Sequence, residues 1–268
     1  MVDIHSKHLV RQLQSYVEDT PDLLRIFQLE NEHGPQPSNS FPVTVDVTAL
    51  YTNIPTYGPI GGLQAFQKAL EKRTMEEKSI FPSHFLIDLL KTVLDGNIFE
   101  FNGQLWKQQI GTAMGTKVAP TYACLFMGWL EELILNKWSN QNPSLKPYLW
   151  RRYIDDILFI WHGSTEELSD FLDFINRQHP YVKFTATYDI KTRSIPFLDM
   201  KIQINDDGFI ETDLHKKDSA RVQYLLPSSC HPGHITKNIP YSLAYRLRRI
   251  CSSEDSFQIR LEQLRQDL

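Results

Sequence analysis

The chain has 268 residues, 41% hydrophobic, 12% aromatic and 22% charged, which is ordinary globular material sufficient for one large or two small domains. No apolar run approaches the ~20 residues of a membrane span, the amino terminus MVDIHSKHLVRQ lacks a secretory apolar stretch, and the widely spaced Cys124, Cys230 and Cys251 make no disulfide framework; a soluble, intracellular protein without a membrane partner is expected. A net charge of −4 argues on average against a polyanionic ligand, yet the stretch from His215 to Arg249 holds Lys216, Lys217, Arg221, Lys237, Arg246, Arg248 and Arg249 against one acid, Asp218, and is either a solvated face or a phosphate-binding one.

Helical spacing of Leu9, Leu13 and Val17, then of Leu23, Leu24 and Phe27, predicts two helices separated near Pro21. A loop, NEHGPQPSNS, leads into a strand, FPVTVDV, in which Val43, Val45 and Val47 share one face and Asp46 takes the other. Helices follow around LQAFQKALEKR and HFLIDLLKTVL, the latter stopping at Asp95-Gly96. IFEF-NG-QLWKQ then reads as a hairpin, because Asn-Gly supplies two positive-φ positions. The segment GTAMGTKVAPTYACLFMGWLEELILNKW opens as a glycine-rich loop and continues as a long, buried helix. A second hairpin, YLWRRYI-DD-ILFIW, is expected to turn at its two aspartates. After a helix over 166–177 come strands YVKFTATY and FLDMKIQI, the latter turning at NDDG into FIETDL; loop and helix fill the rest, ending in a segment with Phe257, Ile259, Leu261 and Leu264. This order predicts an α+β fold, an antiparallel sheet backed by helices on one face.

Asp155 and Asp156 either make the turn, as aspartates do by bonding their own backbone, or are held together near a core by a divalent cation. Alternation along a strand would separate their side chains, with Asp155 as the direct ligand and Asp156 as the looser one. Asp46 is either a strand-end cap or a third carboxylate for the same site. Carboxylates clustered on strand ends suit in-line attack of a 3′ hydroxyl on a triphosphate, served by two Mg²⁺ ions ~4 Å apart.

The chain resembles the palm of a right-handed polymerase, specifically a reverse transcriptase. VDVTALYTNIP resembles the first palm motif, MGTKVAP the second, YIDD the third and PFLDMKI the primer-grip strand. The wording DVTALYTNIP, IGTAMGTKVAP, RYIDDI, PFLDM and SSCHPGHI, in that order over nearly the whole chain, is similar to Penelope-like retroelements, relatives of telomerase reverse transcriptase. The resemblance implies an RNA-directed DNA polymerase, with an N-terminal helical segment over 1–40, a palm with part of the fingers over 41–213 and a partial thumb over 214–268. It further implies two Mg²⁺ ions (Mn²⁺ being possible) held by Asp46, Asp155, Asp156 and the Val47 carbonyl. The partners it implies are an RNA template, a DNA primer and deoxynucleoside triphosphates, and the location is nuclear.

By the same resemblance Tyr51 lies beneath the incoming sugar, the bland alternative being a core tyrosine. Gly115 lets backbone approach the nucleotide. Lys191 is the candidate general acid for pyrophosphate, with a solvated lysine as the alternative. The basic residues from Lys216 to Arg249 follow the duplex backbone. Cys230, His231, His234 and Cys251 lack standard zinc spacing and are expected to pack the thumb.

Two departures stand out. Met114 occupies the place where many reverse transcriptases carry Gln, so that template contact does not transfer. The chain also starts shortly before the first palm motif, without the basic fingers segment, and shows no GIY-YIG endonuclease; it reads as a fragment or shortened copy. The rival readings are a non-catalytic nucleic-acid-binding remnant and an RNA-directed RNA polymerase, against which stand Tyr51 and YIDD in place of GDD.

Overall fold

The computed structural model describes residues 1–216, 224–225 and 229–268. In chain order its elements are α1 (Val2–Val10), α2 (Thr20–His33), β1 (Ser40–Val47), α3 (Leu50–Asn53), α4 (Gly62–Glu71), α5 (Met75–Ile80), α6 (Ser83–Asp95), β2 (Ile98–Phe101), β3 (Gln104–Lys107) and α7 (Ala119–Gln141). There follow β4 (Tyr148–Tyr153), β5 (Asp156–His162), α8 (Thr165–Arg177), β6 (Phe184–Tyr188), β7 (Ser194–Phe197), β8 (Met200–Ile204), β9 (Ile210–Leu214), α9 (Gly233–Ile250) and α10 (Glu254–Asp267). The chain divides into two compact units, each discontinuous: residues 1–18 with 45–186, and residues 19–44 with 187–268. These units interleave along the chain, whereas the division drawn from the sequence is consecutive.

The first unit contributes β4, β5, the end of β1 and the beginning of β6 to a sheet of order β4-β5-β1-β6. On β1 the alternation holds, with Val43, Val45 and Val47 buried and Asp46 exposed. β5 differs, because Ile157 to Trp161 are all buried. Both of its faces are therefore covered, not one as expected; the run ILFIW has no polar residue to offer water. Trp150, Phe159 and Trp161 gather on Phe171 of α8, which meets Trp138 of α7 at a centroid distance of 5.1 Å. Each such ring pair adds about 0.5–1.5 kcal/mol beyond its burial. Helix α7, apolar on nearly every side, packs against α1, α3, α4 and α8.

Helix α1 ends at Val10, earlier than Leu13 and Val17 suggest. Sheet-type pairing takes over: Arg152 N donates to Ser15 O at 2.6 Å and Val17 N to Arg152 O at 2.9 Å. Pro21 opens α2 instead of merely breaking a helix, behind an Asp19 cap that accepts from Asp22 N. The short α5, not anticipated, begins at a capping box readable as T-x-x-E: Thr74 N donates to the Glu77 carboxylate and Glu77 N to Thr74 Oγ1. Hairpin β2–β3 turns at Asn102 (φ 53°) and Gly103 (φ 73°) as expected, and its strand residues are all exposed.

Under the hairpin β4–β5 lies a buried ion pair. Arg152, with no exposed side-chain surface, donates from Nε to Glu131 Oε1 at 2.8 Å. Glu131 also accepts from Trp150 Nε1 at 2.9 Å and from Ser15 Oγ at 2.6 Å. Burial disfavours the guanidinium charge, but Glu131 and Cys124 together outweigh it and hold the Arg152 pKa above its ordinary value. Removing one partner of such a pair strands the other charge, at roughly 3–5 kcal/mol.

The second unit holds α2, the three-stranded antiparallel sheet β7-β8-β9, α9 and α10. The segment FLDMKIQI is not one strand. Phe197 pairs with Met200 across a turn at Leu198 (φ 55°) and Asp199. Thr20 Oγ1 donates to Asp199 at 2.7 Å and Arg246 Nε at 2.9 Å, so tertiary bonds fix a turn that strand propensity conceals. Helices α9 and α10 meet at Cys251–Ser253 and pack on β9, where Arg260 pairs with Asp213 at 2.6 Å. Of Phe257, Ile259, Leu261 and Leu264, only Leu264 is fully buried.

Candidate active site

The end of β1 and the β4–β5 turn bring Asp46 and Asp155 within electrostatic reach. Strand β1 ends at Val47, whose N–H donates to Asp155 O at 3.3 Å. Asp46, one residue earlier, faces away from the valine-lined core. Tyr153 pairs with Asp156 across the β4–β5 hairpin, so the turn is Ile154–Asp155 and Asp156 is the first residue of β5. This corrects the expectation of a turn at Asp155–Asp156. Ile154 takes the left-handed region at φ 55°, a strained place for a β-branched residue.

Asp155 is half-buried, and its pKa is raised, first by burial and then by the like charge of Asp46, against a smaller opposing pull from Arg152. The like charge of Asp46 beside the half-buried Asp155 makes a hard donor set whose repulsion a divalent cation would relieve. Among the described residues no group of three or more His, Cys, Asp and Glu side chains is placed to hold a metal ion. The three carboxylates of the expected triad come from the end of β1 (Asp46), the β4–β5 turn (Asp155) and the first residue of β5 (Asp156). Val47, next to Asp46, bonds the Asp155 carbonyl through its N–H, its side chain buried.

Tyr51 lies on α3 and is half-exposed, not a core residue. Burial, followed by Cys124, Asp155 and Tyr153, raises its pKa, which puts its ring within electrostatic reach of the carboxylate. Its carbonyl accepts from Thr112 N at 2.7 Å. That contact needs Gly111, where φ is 80° and a Cβ would fall 2.2 Å from Tyr51 O. Gly115, by contrast, is exposed and meets nothing within 4 Å. Gly111→Ala is expected to destabilise the protein by roughly 2 kcal/mol or more, whereas Gly115→Ala leaves stability within about 0.5 kcal/mol; urea unfolding of both variants checks the contrast.

The remaining candidates belong to the second unit. Lys191 is exposed in a turn organised by Asp189, whose carboxylate accepts from Lys191 N at 2.9 Å. Lys217 and Arg221 lie outside the described residues. Lys216 pairs with Asp267 at 2.6 Å, Arg246 with Asp199, and Arg248 with Glu254 at 3.3 Å. Lys237 is exposed with no side-chain partner among the described residues, and Arg249 stacks over Tyr245 at 5.3 Å. Sequence reading passed over the exposed Tyr241 and Tyr245, stacked at 6.2 Å with 14° between planes. Their signal was the spacing of Lys237, Tyr241, Tyr245 and Arg249, four residues apart on one helix face. Cys230, His231, His234 and Cys251 are not gathered as a metal site; Cys251 is buried beside Asp213, and burial and that carboxylate push its pKa up to about 11.

Comparison with known proteins supplies first a class of fold. The structure is similar to telomerase from Candida albicans in complex with the TWJ fragment of telomeric RNA, at a TM-score of 0.64 and 11% identity, over 92% of this chain and 43% of that one. It is similar also to apo telomerase from Candida tropicalis, at a TM-score of 0.58 and 15% identity, over 91% of this chain and 43% of that one. In sequence, the chain is 32% identical over 101 residues to the telomerase reverse transcriptase of Oryza sativa subsp. japonica, a match covering 35% of this chain and 8% of the rice protein. The chain thus spans less than half the length of these relatives. Residues 223–268 match the animal helix-turn-helix domain model, over the part that contains α9 and α10.

Proposed function

We propose that this protein is the catalytic core of an RNA-directed DNA polymerase of the Penelope-like type, with a palm around Asp46 and Asp155 and a partial thumb in α9 and α10, acting in the nucleus. The observation that carries the reading is the bond from Val47 N–H, next to Asp46 at the end of β1, to the Asp155 carbonyl in the β4–β5 turn, which sets two carboxylates within electrostatic reach, within a fold of the telomerase kind. Two Mg²⁺ ions, or Mn²⁺, held by Asp46, Asp155, the Val47 carbonyl and Asp156 would supply the positive charge that activates a 3′ hydroxyl and steadies the departing pyrophosphate.

The chain's own residues do the rest. Tyr51 supports the sugar of the incoming nucleotide and blocks a 2′ hydroxyl. Gly115, with open space above it, admits the nucleotide close to backbone. Lys191 is the proposed general acid toward pyrophosphate. Helix α9 follows phosphates, chiefly through Lys237 and Arg249, because this helix carries Lys237, Arg246, Arg248 and Arg249 and no acid, whereas α10 carries Glu254, Asp255, Glu262 and Asp267.

The deciding experiment is primer extension on an RNA template with a DNA primer, Mg²⁺ and each nucleotide type, with Asp155→Asn as control. Metal-dependent incorporation of deoxyribonucleotides supports the reading. Binding of template–primer without extension would favour a non-catalytic remnant, and preference for ribonucleotides an RNA polymerase. For α9, Lys237→Ala and Arg249→Ala should each reduce the slope of log affinity against log salt by ~0.7–0.9. Arg248→Ala, which loses a cation already paired with Glu254, should change the slope less.

A further inference from the structure

We infer that Arg152 is a positioning residue that sets the Asp155 turn from beneath; its catalytic consequence rests on the function proposed above. The guanidinium is shared out among three anchors. Nε binds Glu131 Oε1 at 2.8 Å, Nη2 binds Cys124 O at 3.1 Å, and Nη1 reaches Ile154 O at 3.0 Å. Glu131 and Cys124 both lie on α7, so the fork ties the tip of the hairpin to the longest buried helix of its unit.

That tie matters because of where it ends. The Ile154 carbonyl belongs to the peptide leading into Asp155, and Ile154 is held at φ 55°, which a β-branched residue does not adopt unaided. Strain of this kind persists only where surrounding bonds over-determine it. The bonds are present here: Arg152 grips the turn from one side, and Val47 N–H grips Asp155 O at 3.3 Å from the other. Glu131 is in turn fixed by Trp150 Nε1 and Ser15 Oγ, so the guanidinium cannot swivel to follow a relaxing turn. A lysine in place of Arg152 keeps the charge against Glu131 but lacks the planar fork that reaches both α7 and the turn.

The test uses the full chain with Arg152→Lys, Glu131→Gln and Arg152→Lys/Ile154→Gly. Amide hydrogen exchange at Val47 reports the turn directly, with Leu168 of α8, bonded to Ser164 O at 3.1 Å, as a remote reference. In folded Arg152→Lys, Val47 should exchange about 10-fold faster or more relative to Leu168, and Mn²⁺ should bind about 10-fold more weakly. The kcat of primer extension should fall by a similar factor, with KM for template–primer little changed. Adding Ile154→Gly, for which the left-handed region carries no penalty, should shrink the exchange effect to within about threefold.

Glu131→Gln, which keeps the bonds to Ile154 and Cys124 but removes the carboxylate that anchors the guanidinium and its charge, should accelerate Val47 exchange in the same direction. It carries the test alone if Arg152→Lys does not fold. Unchanged Val47 protection in a folded Arg152→Lys protein, or in Glu131→Gln if that is the folded variant, overturns the inference. So does a loss that Ile154→Gly leaves untouched. If the wild-type chain neither binds Mn²⁺ nor extends primers, the polymerase reading fails while the exchange measurement still decides the role of Arg152.

Discussion

Asp155→Asn is expected to abolish primer extension, by on the order of 10³-fold or more in kcat, while leaving the protein at least as stable as wild type. Burial and the neighbouring Asp46 charge hold the Asp155 pKa above its ordinary value. The sign follows: an acid whose folded pKa is raised costs stability when ionised, and stability rises as pH falls through that raised value. At neutral pH the asparagine removes this repulsion and keeps the shape. Thermal unfolding by circular dichroism should show a Tm unchanged or up to a few degrees higher. A variant that loses activity together with several degrees of Tm would mean Asp155 is a structural acid.

Tyr51→Ala should change the choice of sugar. Tyr51 is half-exposed on α3 and close enough to Asp155 to feel its charge, so the ring is available to a bound nucleotide. With the ring gone and both carboxylates intact, ribonucleotides should gain on deoxyribonucleotides by on the order of 100-fold in kcat/KM. Measuring both sugars in wild type and variant decides it. An unchanged ratio with polymerisation retained would return Tyr51 to a packing role.

Much of this architecture is legible in local pattern. Val43, Val45 and Val47 place Asp46 by alternation alone, and Asn102-Gly103 announces its hairpin by backbone chemistry. The pattern fails where tertiary bonds overrule propensity. Strand-like FLDM becomes a turn because Thr20 and Arg246 bind Asp199. The β4–β5 turn shifts one residue from the aspartate pair to Ile154–Asp155, a place no propensity would give isoleucine. In the candidate site, Asp46 and Asp155 both stand out in their motifs, one at the end of a strand and one at a hairpin. The guanidinium beneath them does not, since Arg152 sits in the chemically plain string WRRY and its partner Glu131 lies on another element.

The interleaving of the two units has a consequence for how the chain is made. Residues 19–44 belong with residues 187–268, so a nascent chain emits α2 early and cannot complete the second unit until the whole first unit has been synthesised. Through that interval Thr20 and Asn31 lack Asp199 and Ile210, to which they bond in the finished protein. The first unit can close as soon as residue 186 emerges. The second is the later and more exposed to misassembly, and a pause or chaperone acting during synthesis would be felt there first.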